Sequence, residues 1–481
     1  MGRIENHVAN LFYPKNLLTP KRPTLSQAAA LLLSGAAYAG LAYATPRPAL
    51  GQLLGLFGVA LAAYAWLLRS RVPLRWGLGA ALLFRLLWLP ALPALSDDVY
   101  RFRWDGLLVA HGANPFRYRP DEIIADGART ILPNPATRSQ VLPQLQQLYR
   151  QLNSPHYYSV YPPVCQAVFG AWAGLFPASE RGFALGLRLV VLAFEAGTAA
   201  LLLALLPALG WPPARALRYL LHPLVIVELT GNLHFEAGAF FFVLLAIWLL
   251  HRQRVGQSAV ALALGVATKL LPVLALPLLV RRLGGCRLLG YGAVMALTLL
   301  VLFSPFLSVG LFQNIGRSLK LYFRSFEFNA SIYYVLRAIG YRLTTYNEIA
   351  IIGPALALAA GLLGLGLAWR ERRPTLASLP ATLLLVLTAY YALATTVHPW
   401  YLTLLVGLST FSRFRFPLVW GGLAVLSYAT YRTSAYTENL WLVGLEYGIT
   451  YAVLLWELRH PQQEQAQPLA APAAYLGQVA E

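Results

Sequence analysis

Chemistry in this chain starts at two adjacent carboxylates. The run Ser96-Asp97-Asp98-Val99-Tyr100-Arg101-Phe102-Arg103-Trp104-Asp105-Gly106 follows directly on an apolar segment, which sets Asp97 and Asp98 at a membrane edge. A carboxylate held there can take the proton of an incoming hydroxyl. A structural role is open to the same residues. Ser96 can cap a helix while Asp97 and Asp98 favour its dipole, a contribution of about 0.3–1 kcal/mol each. The two roles are compatible, since one carboxylate can cap while the other reacts. Behind them Tyr100, Trp104, Leu107, Leu108 and His111 recur at i, i+4, i+7, i+8 and i+11, one face of a helix suited to the membrane interface. Gly112 and Asn114-Pro115 end that helix.

Other polar residues stand inside apolar runs. Lys269, three residues before Pro272, offers an ammonium to a phosphate, or snorkels toward an interface. Arg85 lies mid-segment, where an arginine costs at least about 2.5–3.5 kcal/mol without a partner. Arg188 and Glu195 share a helix face and read as a structural ion pair, whereas Glu228 has no evident partner in the sequence. Arg317, Lys320, Arg324, Arg337 and Arg342 outnumber Glu327 in one loop, an excess suited to lipid phosphate or any anionic headgroup. His398 with Trp400 and Tyr401 also fits an ordinary aromatic belt. Cys165 and Cys286 have no metal-ligand spacing around them. The sequon at Asn329-Ala330-Ser331 reads as a chance match.

These groups need elements to hold them. Of the 481 residues 58% are hydrophobic and 12% charged, and the mean hydropathy is +0.56. A soluble domain carries about a quarter charged residues. The apolar residues come in blocks of about 20, the length of a helix crossing a bilayer core. We read segments at 25–44, 50–68, 76–95, 162–177, 184–207, 214–231, 234–250, 258–280, 288–306, 348–369, 376–396, 399–412, 416–432 and 439–457. The expected fold is all-α: a polytopic membrane protein with about 12–14 transmembrane or re-entrant helices and an interfacial helix in the first long outer loop.

A basic tail (1–23) precedes a single membrane domain (24–458), which is interrupted by outer loops 96–161 and 307–347. A tail (459–481) rich in Gln, Ala and Pro reads as disordered. The net charge of +19 gathers at segment ends, as topology signals do, so no nucleic-acid partner is expected. Counting crossings puts both termini in the cytoplasm and both long loops outside, in what composition suggests is a bacterial cytoplasmic membrane. Simple alternation puts His251-Arg252-Gln253-Arg254 outside, against the charge rule. If 214–231 and 258–280 re-enter instead, that loop lies inside and Asn232-Leu233-His234 faces out. Lys269 then sits at the turn of a half-helix pair. Both versions stay open.

The block Ser96-Asp97-Asp98-Val99-Tyr100-Arg101 with Trp104-Asp105-Gly106, then Gly112-Ala113-Asn114-Pro115-Phe116-Arg117-Tyr118, resembles the first outer loop of membrane mannosyltransferases. These belong to the glycosyltransferase-C superfamily and use polyprenyl-phosphate sugars. The similarity continues at Tyr161-Pro162-Pro163, Pro223-Leu224-Val225, His234-Phe235-Glu236-Ala237 and Lys269-Leu270-Leu271-Pro272. Weaker matches follow at Phe328-Asn329-Ala330-Ser331 and His398-Pro399-Trp400-Tyr401. Where the family commonly has His-Asn-Asp, this chain has His234-Phe235-Glu236, which keeps the acid and loses the amide.

The resemblance implies transfer of a hexose, read as mannose, from a polyprenyl phosphate to a lipid or glycan hydroxyl outside the membrane, with inversion. Asp97 or Asp98 is the expected base, the first being the one the resemblance favours. Lys269, Arg101, Lys320 and Arg324 are the candidates for the donor phosphate. His234, Glu236, His398 and Tyr161 are candidate substrate contacts. No cofactor and no obligatory metal are expected, because a lipid phosphate leaves without a metal-bound diphosphate. The rival reading is a flippase or transporter of lipid-linked sugars. It accounts for the helices and buried charges but not for an acid pair heading a helix.

Overall fold

The computed structural model describes residues 22–432 and 436–460. The expectations for 1–21 and 461–481 therefore lie outside the described residues. Regular structure among them is helical, apart from one parallel bridge between Phe328 and Thr396. The major helices are α1 Leu25–Tyr43, α2 Leu50–Arg69, α3 Leu74–Leu86, α4 Asp98–Ala110, α5 Pro135–Tyr149, α6 Pro163–Leu175, α7 Glu180–Ala208, α8 Pro223–Gly231, α9 Glu236–His251 and α10 Val255–Val266. They continue as α11 Leu276–Leu283, α12 Gly285–Phe303, α13 Leu311–Arg324, α14 Ile332–Thr344, α15 Ile349–Arg370, α16 Leu379–Leu393, α17 Thr403–Ser409, α18 Phe416–Leu423 and α19 Leu440–Arg459. Helices α1, α2, α7, α12 and α15 are long and apolar enough to cross a membrane, and α8 with α9 makes a sixth candidate bent by 112°. This is a polytopic all-helical membrane protein.

Interactions along the chain show which helix ends share a side. Arg47, between α1 and α2, pairs with Asp97, so that turn and the acid pair lie together. At the other end of α2, Tyr64 donates to the carbonyl of Arg218 at 2.8 Å. From Arg218 the chain passes Leu220, whose carbonyl accepts from Arg85, and Thr230, whose carbonyl accepts from Arg188. It ends at His234, 3.9 Å from Asp98. Residues 218–234 thus climb from the far side to the side of the acid pair. Helix α9 then returns over 16 residues, about 24 Å at 1.5 Å per residue. This agrees with the second of the two sequence readings in that Asn232-Leu233-His234 shares a side with Asp98 and His251–Arg254 lies away from it, but its premise for 214–231 does not hold, because residues 218–234 cross from one side to the other rather than re-enter.

Helix α6 differs from the expectation of a crossing segment. The Val164 amide donates to the carbonyl of Ala267 at 3.0 Å, and Arg103 of α4 donates to the carbonyl of Pro177 just beyond the other end of α6 at 2.8 Å. Both ends stay beside α4. Its 13 residues cover about 20 Å, short of a bilayer core. The approach of α4 to α6 depends on glycine: a Cβ on Gly106 would fall 2.5 Å from the backbone oxygen of Phe169. Helix α4 begins where the sequence predicts, but its face carrying Trp104, Leu107 and Leu108 is buried under protein, not laid in headgroups. Phe169 stacks on Phe102 and Phe235 meets it edge-on to form that core, with Leu145 and Leu148 of α5 in the same cluster.

The buried charges find partners, though not all the expected ones. Glu195 pairs with Arg85 at 2.7 Å and accepts from Tyr219 at 2.6 Å. The expected Arg188–Glu195 pair does not form. Seven residues put two groups on one helix face but about 10.5 Å apart along the axis. Arg188 instead donates to the carbonyls of Leu89, Ala91, Thr230 and Gly231, pinning the end of α8 against the chain after α3. Each cation is satisfied inside the bundle, as an intramembrane arginine requires.

Candidate active site

Asp97 and Asp98 head α4, and their surroundings differ. The Asp98 amide donates to Ser96 Oγ at 3.3 Å in a turn just ahead of the helix, but the N-cap position falls on Asp97 and carries no side-chain cap, so the cap expected of Ser96 does not form. Asp97 is held by Arg47, whose guanidinium lies 3.6 Å from the centroid of the Tyr431 ring. Asp98 turns inward. It accepts from Asn153 and faces Lys269 and Glu236, and burial pushes its carboxyl above the usual aspartate range.

Three breaks in the helical ladder bring the remaining groups to Asp98. The first lies between α8 and α9. The last turn of α8, Ile226–Gly231, is wound as a π-helix, a form found disproportionately at functional sites. Leu233 follows at φ +65, a left-handed backbone that a branched side chain adopts at a cost of about 1–3 kcal/mol. That break presents His234 and Glu236. His234 Nδ1 lies 3.9 Å from Asp98 and its Nε2 lies 3.6 Å from Glu228. Glu228 in turn accepts from Tyr428 at 2.7 Å and Asn232 at 3.0 Å.

The second break separates α10 from α11. Pro272 has no backbone N–H to continue the ladder, and the chain turns at Ala267–Leu270. Lys269 emerges there, with its ammonium 3.0 Å from Glu236 and 5.6 Å from the centroid of the Tyr161 ring. The backbone carbonyl of Thr268, beside it, accepts from Cys165 of α6. The third break precedes Pro399. The Val397 amide donates to the carbonyl of Phe328 at 2.8 Å and the Phe328 amide to the carbonyl of Thr395 at 3.0 Å, which brings the second outer loop to His398. Four rings then stack in a column: His234 on Trp400 at 3.9 Å, Trp400 on His398 at 4.4 Å, and His398 on Phe328 at 4.7 Å.

Asp98, His234, Glu236, Lys269, Tyr161 and His398 are therefore neighbours, although they span 300 residues of sequence. Arg101, Lys320 and Arg324 are placed elsewhere. Arg101 is buried, paired with Asp105 at 3.0 Å and donating to the carbonyls of Ser154 and Tyr157. Asp105 also accepts from Gln166 at 3.1 Å, so this pair locks the first outer loop onto α4 and α6. On α13, Asn314 and Ser318 tie one face to the carbonyls of Phe116 and Tyr158. Lys320 and Arg324 lie on the exposed faces of the same helix. In the second loop Glu327 pairs with Arg337 at 2.5 Å, which removes one charge from the apparent basic excess. Asn329 is fully buried and donates to Glu446, consistent with a chance sequon.

Arg47, Tyr428 and Asn153 escaped the sequence reading, which saw Trp400 as part of an ordinary aromatic belt. Arg47 alone had a signal: the count of crossings puts the short turn between the first two segments on the side of Asp97. Among the described residues no three His, Cys, Asp or Glu side chains converge as a metal-binding group. The site offers a carboxylate, an ammonium, a carboxylate holding that ammonium, and a stacked imidazole. That set can deprotonate a hydroxyl and meet a phosphate.

The family described as alpha-(1->6)-mannopyranosyltransferase, N-terminal domain, matches residues 25–284, more than half of the chain. No curated protein and no solved structure matches.

Proposed function

The chain belongs to the alpha-(1->6)-mannopyranosyltransferase family, and from that premise we propose an inverting transfer of mannose to a primary hydroxyl, with Asp98 as the base. It is a membrane glycosyltransferase that uses a polyprenyl-phosphate sugar. The family's name describes an α(1→6) linkage; carried to this chain, it makes the acceptor oxygen the C6 hydroxyl of a glycan or glycolipid. An α product formed with inversion requires a β-linked mannosyl phosphate. The reaction takes place on the face of the membrane that carries Asp98, which the charge distribution makes the outer one, with the termini cytoplasmic.

One observation carries the reading: Asp98, at the head of α4, and Lys269, at a helix break 171 residues further on, interact electrostatically beside Glu236. In the mechanism the acceptor hydroxyl attacks C1 while Asp98 takes its proton. The C1–O bond to phosphate breaks, and the phosphate keeps the electron pair. Its charge grows as it leaves, so a fixed cation favours the transition state over the ground state. Lys269 is that cation, held by Glu236. Tyr161 walls the same place with a ring on which a sugar face or the amine can rest.

The family resemblance favours the first acid of the pair, but Asp97 is neutralised by Arg47. A carboxylate tied to a guanidinium is a poorer proton acceptor than one raised by burial. Arg101 is committed to Asp105 and the loop, so we assign it to scaffolding. Lys320 and Arg324, exposed on α13, suit the anionic lipid surface beside the site. The test is transfer from a polyprenyl β-mannosyl phosphate to octyl α-mannoside by the purified chain. Release of polyprenyl phosphate with formation of an α(1→6) dimannoside supports the proposal; movement of the donor across vesicles without cleavage would identify a flippase.

A further inference from the structure

The transfer leaves a proton on Asp98, whose side chain is 21% exposed. The groups behind Asp98 form a line. His234 stands edge-on between Asp98, 3.9 Å from its Nδ1, and Glu228, 3.6 Å from its Nε2. Neither ring nitrogen has a hydrogen-bond partner among the described residues, although the ring is almost wholly buried. Its plane is fixed by Trp400, stacked at 3.9 Å and 13°. Glu228 is fixed by Tyr428 and Asn232 and is buried inside the bundle, where a carboxylate costs several kcal/mol unless it is paired.

We propose that Asp98, His234 and Glu228 form a proton path, in which His234 takes the proton that Asp98 receives and Glu228 holds the resulting imidazolium. This rests on Asp98 being the base. The resting imidazole carries its proton on Nε2, directed at Glu228, which leaves the Nδ1 lone pair facing Asp98. When the acceptor oxygen bonds to C1, its proton moves to Asp98 Oδ2 and then to Nδ1. Asp98 returns to a carboxylate, and the imidazolium lies between two carboxylates with its face on an indole, an arrangement that favours a cation. The gaps to Glu228 and Asp98 exceed the usual upper limit of about 3.2 Å by about 0.4 and 0.7 Å, and hydrogen bonds of this kind often tighten only when substrate is bound. Burial first, and then Lys269 and His398, oppose the charging of this ring, so the imidazolium lasts only while Asp98 and Glu228 are both ionised and its proton returns through Asp98 to water as the product leaves. Glu236 is engaged by Lys269 at 3.0 Å. His234 and Glu228 are thus positioning residues that act through Asp98.

The experiment follows kcat and donor KM against pH, with polyprenyl β-mannosyl phosphate and octyl α-mannoside. It compares the full chain with His234→Gln, Glu228→Gln, Glu228→Asp and Asp98→Asn. The path predicts that His234→Gln and Glu228→Gln lower kcat about ten-fold or more, at nearly unchanged KM, and remove one ionisation from the kcat profile. Glu228→Asp should recover part of the rate. A lowered kcat with an unaltered pH profile would make His234 and Glu228 scaffold and overturn the path. An inactive Asp98→Asn with wild-type rates in the other variants would overturn the path while sparing the base. Full activity in Asp98→Asn would remove both.

Discussion

The Lys269 ammonium lies 3.0 Å from Glu236 Oε1, and this ion pair joins two helix breaks separated by 33 residues of sequence. The pair sets Lys269 beside Asp98 while leaving the second oxygen of Glu236 without a hydrogen-bond partner among the described residues. Removing one member of a buried pair strands the other, at a cost of about 3–5 kcal/mol.

Lys269→Met should therefore lose both turnover and thermal stability, because Glu236 is left buried and charged. The double variant Lys269→Met/Glu236→Gln removes both charges, so it should recover most of the stability and none of the turnover. Lys269→Arg should rescue the rate in part, since charge is kept while the compact ammonium geometry is lost. Melting curves and transfer rates on the three proteins check this. A fully active Lys269→Met would move phosphate recognition to another cation, with Arg47 the first to neutralise.

Burial raises the Asp98 carboxyl above the ordinary aspartate range. The folded state then holds the proton more tightly than the unfolded chain does. The sign is fixed: this group contributes stability at low pH, below its unfolded value, and the contribution is lost as pH rises through the raised folded value. Asp98→Asn removes the burden of a buried charge. Its melting temperature should equal or exceed that of the wild type at pH 7, with the difference vanishing in acid. Activity should run the other way, rising in the wild type as Asp98 ionises. Thermal unfolding of both proteins across pH measures the first effect directly.

Gly106 and Gly174 lie on the same α4–α6 contact and make a controlled comparison. A Cβ on Gly106 meets backbone at 2.5 Å, whereas one on Gly174 meets only the Ala110 methyl at 3.6 Å. Gly106→Ala should cost about 1–3 kcal/mol and lower the transfer rate, because α4 must shift and it carries Asp98. Gly174→Ala should be close to neutral in both. Melting temperature and specific activity read the outcome.

A cysteine at Gln253 tests the course of the chain. Helix α9 leads away from Asp98, so this position should share a side with Arg281 and Arg282 and react with an impermeant thiol reagent only when that side is opened. A cysteine at Lys320, on the Asp98 side, should label from the opposite face. Equal labelling of both in intact cells would contradict the path of residues 218–254.

Much of the fold was legible because bilayer length and hydropathy leave few options. The apolar blocks fall on the helices almost one for one, and the acid pair does head a helix. Helix α6 was misread because an apolar 13-residue helix buried against α4 has the composition of a crossing segment. The site was legible residue by residue but not as an assembly. Lys269 and His234 stood out as polar residues at breaks, and Pro272 supplied the reason for one break. What joins them is tertiary: Glu236 to Lys269, His234 to Trp400, and Arg47 to Asp97 are contacts between elements far apart in sequence. Arg85 and Arg188 show the same limit: Arg85 was recognised as needing a partner and found Glu195 on α7, whereas Arg188, read as that glutamate's partner, found backbone carbonyls after α3 and at the end of α8.

The central claim is the choice of Asp98 over its neighbour, and single-turnover transfer at saturating polyprenyl β-mannosyl phosphate tests it most directly. With Asp98 as the base, Asp98→Asn loses about 100-fold or more in rate while donor binding changes little. Asp97→Asn loses far less, because its part is to hold Arg47. The reverse order, with Asp98→Asn near the wild-type rate and Asp97→Asn inactive, would contradict the account.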